Sequence, residues 1–168
     1  MYTRSTATWW EEVTPWVPSI ALLPVCIYIL VTRGKYLLID HFNLLVHEGG
    51  HGIFMFFGQF LYIAGGTLMQ IILPMLIVWY FFRNGYRFGV QLFLVWLGQN
   101  FINISVYAAD AQERALPLLG GTAVIHDWHY MLGKLGLLQY DAIVGYVFVG
   151  MAVLTFIAAL FMPLIMRN

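Results

Sequence analysis

The chain has 168 residues, of which 61% are hydrophobic and only 10% charged, with 8 basic side chains balancing 8 acidic ones. So few charges cannot coat a soluble globule, in which about a quarter of the residues are charged, and a mean hydropathy of +0.79 points to a helical protein of the lipid bilayer. Zero net charge without a basic cluster excludes nucleic-acid binding, and 17% aromatic content excludes a disordered chain.

The first fifteen residues are polar and include Glu11 and Glu12, unlike a removable signal peptide. The first apolar run, near 16–32, is therefore expected to stay as a span, with Trp9, Trp10 and Trp16 in the interfacial belt. Cys26 lies inside that run without a partner, so no disulfide framework holds the fold. Further spans are expected near 37–63, 67–82, 87–109 and 143–166, against the roughly 20 helical residues that cross a bilayer core. Ala64-Gly65-Gly66 is read as the break between the second and third spans, and Pro74 as a bend.

Between the fourth and fifth spans runs the one long polar connection, Asp110 to Ala142. Its stretch Leu116-Pro117-Leu118-Leu119-Gly120-Gly121 is apolar and flexible enough for a re-entrant segment, and Trp128 to Leu138 for an interfacial helix. The whole, residues 1–168, is read as one all-α domain, a polytopic bundle of about five spans in a bacterial-type inner or plasma membrane. Arg33, Lys35, Arg83, Arg87 and Arg167 on one face, against Arg4, Arg114 and Lys134 on the other, place the N-terminus outside and the C-terminus inside.

Inside the second span stands His47-Glu48-Gly49-Gly50-His51. Histidines four apart on a helix project from one face, close enough for both imidazoles to bind one zinc ion, and Glu48 between them suits the general base that takes a proton from zinc-activated water. An intramembrane glutamate is costly unless it is paired or faces a metal or a wet cavity, which favours a functional site over a hydrogen-bonded knot between helices. Gly49, Gly50 and Gly52 weaken the helix, so something approaches its backbone closely: a neighbouring helix or an extended substrate.

The pentapeptide within an apolar helix resembles the site-2 protease family of intramembrane zinc metalloproteases. The resemblance covers that helix and, more loosely, the spans that follow. It implies a zinc metalloendopeptidase that hydrolyses peptide bonds of membrane-embedded substrates, with both histidines and a later aspartate as ligands and the glutamate as base. The family's Asp-Gly pair is missing here, and there is no room for a PDZ-like domain.

A catalytic zinc takes three protein ligands and keeps one position open. Asp127 is favoured as the third, with Asp110 and His126 as alternatives. With both spans starting on one face, His47 and His51 sit at mid-membrane, and Asp127 reaches them only if the preceding loop turns back inward. Asn100 and Asn103, one turn apart in the fourth span, are candidates for holding a substrate backbone, as a membrane asparagine does in the resembling family, or for ordinary interhelical hydrogen bonds. The alternative function is a non-catalytic protein that binds or transports a metal; a di-iron hydroxylase would need more histidines than the 5 present. Expected partners are the bilayer and a membrane protein or peptide substrate.

Overall fold

A computed structural model describes residues 9–117 and 124–166, and all the regular structure among them is helical. The helices are α1 (Trp9–Val13), α2 (Val17–Val31), α3 (Leu38–Phe54), α4 (Gln59–Arg83), α5 (Arg87–Ala109), α6 (Asp127–Leu135), α7 (Asp141–Leu160) and α8 (Met162–Ile165). Among the described residues, four helical stretches are long and apolar enough to cross a membrane: Trp9–Val31, α4, α5 and Leu138–Leu160. The fifth expected span is absent from this set, because the run near 37–63 is divided between α3 and α4.

The division falls eight residues before the place read from the sequence. A 3-10 turn, Met55–Phe57, and Gly58 at φ +89° reverse the chain, while Ala64-Gly65-Gly66 lies inside α4. Those glycines serve packing. A Cβ at Gly50 would overlap the Gly65 carbonyl, the Gly50 carbonyl oxygen lies 2.7 Å from where a Cβ of Gly65 would stand, and a Cβ at Gly66 would overlap the His47 imidazole. Only small residues let two helix backbones cross this closely. Gly49 and Gly52 face open space.

The direction of α3 also differs from expectation. At one end of the bundle the Gln91 amide of α5 donates to Ser19 Oγ of α2, at 2.8 Å; toward the other, Arg33 Nε just past α2 donates to Ser105 Oγ of α5, at 2.9 Å. Helices α2 and α5 are therefore parallel. Helix α4 is antiparallel to α5 across the Asn84–Tyr86 turn, so it starts at the end where α2 finishes. The chain between α2 and α4 consequently enters and leaves the bundle at one end, and α3 is not a crossing. Trp16 meets Phe161 and Arg87 donates to the Met166 carbonyl, which brings the two ends of the helix series to the opposite end of the bundle. Arg33 and Lys35 thus share an end with Arg114 and Lys134, not with Arg83 and Arg87, and the grouping of basic residues that oriented the chain does not hold; Arg4 and Arg167 lie outside the described residues. The Leu118–Gly121 part of the expected re-entrant loop also lies outside them.

Helix α5 is the axis of the fold, with α2, α4 and α7 around it. It meets α7 through small residues that admit a neighbour: the Phe156 ring fills the space at Gly98, and Gly145 lies against the Ser105 carbonyl. Outward faces carry large apolar groups such as Ile20, Leu76, Trp79 and Leu154, as lipid-facing helices do.

Gly50→Ala is expected to lower stability by about 1–3 kcal/mol through the clash with α4, whereas Gly49→Ala, with open space at its Cβ, gains up to about 1 kcal/mol of helix propensity. Thermal unfolding of the two variants in detergent measures the difference.

Candidate metal centre

Helix α3 presents His47 and His51 on successive turns toward the start of α6. Asp127 Oδ2 stands 2.8 Å from His47 Nε2 and 3.3 Å from His51 Nε2, and the three ligand atoms lie within 4.8 Å of one another. His47 and Asp127 are buried and His51 nearly so. His47 also packs edge-on to Tyr107, ring centroids 5.9 Å apart, one turn from the end of α5. The cluster is thus near one end of the bundle and not at its middle.

This placement supplies what the sequence reading lacked. The expectation put the histidines deep and required the loop to descend to them. Because α3 turns back toward the end where α5 finishes, residues that follow α5 meet its histidines directly. Asp127 is steadied there by Tyr107, whose hydroxyl accepts the Asp127 backbone N–H at 3.1 Å. The α6 N-cap is His126, whose Nδ1 accepts the His129 N–H at 3.2 Å, so the Asp127 side chain is left to face α3.

Both imidazoles are held from behind. His51 Nδ1 donates to the Tyr62 carbonyl at 2.8 Å, and His47 Nδ1 faces Gln70 Oε1 at 3.0 Å. A peptide carbonyl only accepts, so the His51 proton sits on Nδ1 and its Nε2 offers a lone pair to the shared point. With His47 in the same tautomer, two lone pairs and a carboxylate converge, an arrangement that repels itself unless a cation, a metal ion or the protons of charged imidazoles, lies between them. Ligands about 2.1 Å from a tetrahedral ion stand about 3.4 Å apart. The His51–Asp127 separation of 3.3 Å already matches, and the 2.8 Å of His47–Asp127 needs a small opening. Two imidazoles and one carboxylate fit zinc and other first-row ions alike.

Asp110 and His126, the alternative ligands, are paired with each other instead, His126 Nε2 lying 3.2 Å from Asp110 Oδ2. Asp110 further accepts the backbone N–H groups of Ala115 and Leu116 and so closes the turn after α5. Burial pushes the His126 imidazole pKa down, against the opposing pull of Asp110.

Glu48 opens into a cavity of about 670 Å³ between α3 and α5, where it has no hydrogen-bond or ionic partner among the described residues. Leu44, Ile63, Ile102 and Val106 give the cavity apolar walls. Asn103 lines it as well, but its amide already bonds Gln70 and Asp40. Asn100 is fully buried, accepting from Gln70 and donating to the Trp96 carbonyl. The residues that sequence reasoning passed over are Gln70, Tyr107 and Asp40. The signal for Gln70 was present, as a lone amide in the apolar run Leu68 to Phe82.

No family model, curated protein or solved structure matches the chain.

Metal titration of purified apoprotein separates the aspartates. Asp127→Asn is expected to weaken binding at least about 100-fold, as loss of a direct ligand should exceed the 10–100-fold cost of losing an outer-shell partner. Asp110→Asn is expected to bind as wild type does.

Proposed function

We propose that the chain is a membrane metallopeptidase of multi-pass topology, a zinc metalloendopeptidase that hydrolyses peptide bonds of membrane-embedded protein substrates. The observation that carries this reading is the convergence of His47, His51 and Asp127 on one point at the wall of a cavity into which Glu48 opens. The apolar helices around it support a bilayer location. The resemblance of the pentapeptide to site-2 proteases agrees with the chemistry of this donor set.

His47, His51 and Asp127 would hold the ion. A zinc ion there supplies Lewis acidity and raises the acidity of water near it. The work of the chain itself is to place a peptide and move a proton. An extended segment fits between α3 and α5, its apolar side chains against Leu44, Ile102 and Val106 and its backbone near Glu48. Glu48, unpaired and accessible, takes the proton of the attacking water and returns it to the departing amine. The site stands one turn from the end of α5, so water reaches it over a short path from that end of the bundle. The apolar walls favour a segment already unwound and sequestered from bulk water.

In proteoliposomes with a membrane-embedded peptide reporter, Glu48→Gln is expected to keep its metal and lose about 10²–10⁴-fold in cleavage rate. His47→Ala is expected to lose both. Undiminished cleavage by Glu48→Gln sinks the assignment, and metal flux into the vesicles without cleavage by wild type turns it to the transport reading.

A further inference from the structure

Behind His47 a line of side-chain hydrogen bonds runs away from the metal site to the opposite end of α3. Gln70 Oε1 faces His47 Nδ1 at 3.0 Å; Gln70 Nε2 donates to Asn103 Oδ1 at 2.9 Å; Asn103 Nδ2 donates to Asp40 Oδ1 at 3.0 Å. Amides present an acceptor on one side and donors on the other, so such a line has a direction, and the direction is set by whichever end cannot reverse.

Asp40 is that end. Its Oδ2 accepts the Leu37 backbone N–H at 2.6 Å, and its Oδ1 accepts from Gln99 Nε2 at 2.6 Å as well as from Asn103. A second line confirms that the groups around it are donors. The Trp96 indole, which can only donate, bonds Asn43 Oδ1 at 2.9 Å; Asn43 Nδ2 donates to Gln99 Oε1 at 2.5 Å, and this turns Gln99 Nε2 toward Asp40. Gln70 is held the same way by a third path, since Asn100 donates to the Trp96 carbonyl and thereby turns its own oxygen to Gln70. Every amide in the cluster has one consistent orientation, and all of it is buried or nearly so.

We propose that Asp40, acting through Asn103 and Gln70, is a positioning residue that holds His47 as the Nδ1–H tautomer with its Nε2 lone pair aimed at the metal point. The tautomer assignment stands on this geometry alone; its role in metal binding rests on the function proposed above. Asp40 touches neither the ion site nor His47, yet its carboxylate, together with the Trp96 carbonyl acting through Asn100, sets which imidazole nitrogen is bare. Reversing the line would put an amide N–H₂ against His47 Nδ1, move the proton to Nε2 and close the ligand position. The same carboxylate caps the first turn of α3, so one buried side chain serves both the start of the helix and the orientation of the amides behind its ligand.

The test is a double-variant cycle read two ways: imidazole ¹⁵N shifts of metal-free protein in micelles, and zinc affinity. Asp40→Leu, which leaves Asn103 without its carboxylate acceptor, is expected to populate the Nε2–H form of His47 and to weaken zinc binding about 10–100-fold, although residue 40 is remote from the ion. Asn103→Leu, which leaves Asp40 and Gln70 chemically unchanged, is expected to raise the Nε2–H fraction as well. Asn100→Leu leaves Gln70 held through Asn103, whereas Asn100→Leu with Asn103→Leu cuts both paths that orient Gln70, and the Nε2–H fraction is expected to exceed the sum of the two single effects. A wild-type tautomer in Asp40→Leu or Asn103→Leu, or a double variant with a shift no larger than that sum, overturns the proposal. If wild type itself binds no zinc, the metallopeptidase reading fails while the ¹⁵N shifts still decide the relay.

Discussion

Where Gly50 and Gly65 lack side chains, the backbones of α3 and α4 come into direct contact, and the rest of the site is hung on that crossing. With the helices this close, His47 lies in the space that Gly66 leaves open and Gln70 falls behind its ring. One turn further on, the Tyr62 carbonyl meets His51. A larger residue at either glycine would part the helices and separate both imidazoles from the groups that orient them. The glycines weaken α3 by about 1 kcal/mol each relative to alanine, a cost that close packing offsets only where two of them face each other.

On its other side α3 is treated differently. It meets α5 chiefly through the Asp40, Asn43, Gln99 and Asn103 network, and the space between those groups and the metal point is the cavity. Buried donors and acceptors in an apolar bundle are costly when left unpaired, and here they pair with each other. That demand makes a polar bridge directional in a way that apolar packing is not. An α3–α5 contact built of leucines would close the cavity and carry no information about protonation, whereas amides both span the gap and transmit the polarity of a carboxylate.

Much of the chemistry was legible in the sequence, and much of the topology was not. His47-Glu48-Gly49-Gly50-His51 stands out because polar groups are rare here, and the acidic connection after the fourth apolar run contains the Asp127 that lies beside both histidines. The turn between α3 and α4 was misplaced because Gly65 and Gly66 are stronger punctuation in sequence than Phe57 and Gly58, yet glycine marks close packing as often as it marks a break. Within a run that is apolar on every side there is no periodicity to say which role applies. The parallel course of α2 and α5 rests on Ser19, Gln91, Arg33 and Ser105, four side chains 72 positions apart in each pair, and nothing local in the sequence announces such partners.

That parallel pairing changes what the lone glutamate means. Read as a residue at mid-membrane, Glu48 would face the full cost of charge in hydrocarbon and would need water delivered across half the bilayer. With α3 entering and leaving at the end where α5 finishes, Glu48 instead opens, exposed, into a cavity beside that end. The grouping of basic residues read from the sequence fails for the same reason, since Arg33 is engaged by Ser105 and the Tyr146 ring and serves to fasten α2 to α5 and α7. A basic residue held in this way does structural work whichever side of the bilayer it faces, and the depth of the site is set by the helix pairing that it secures.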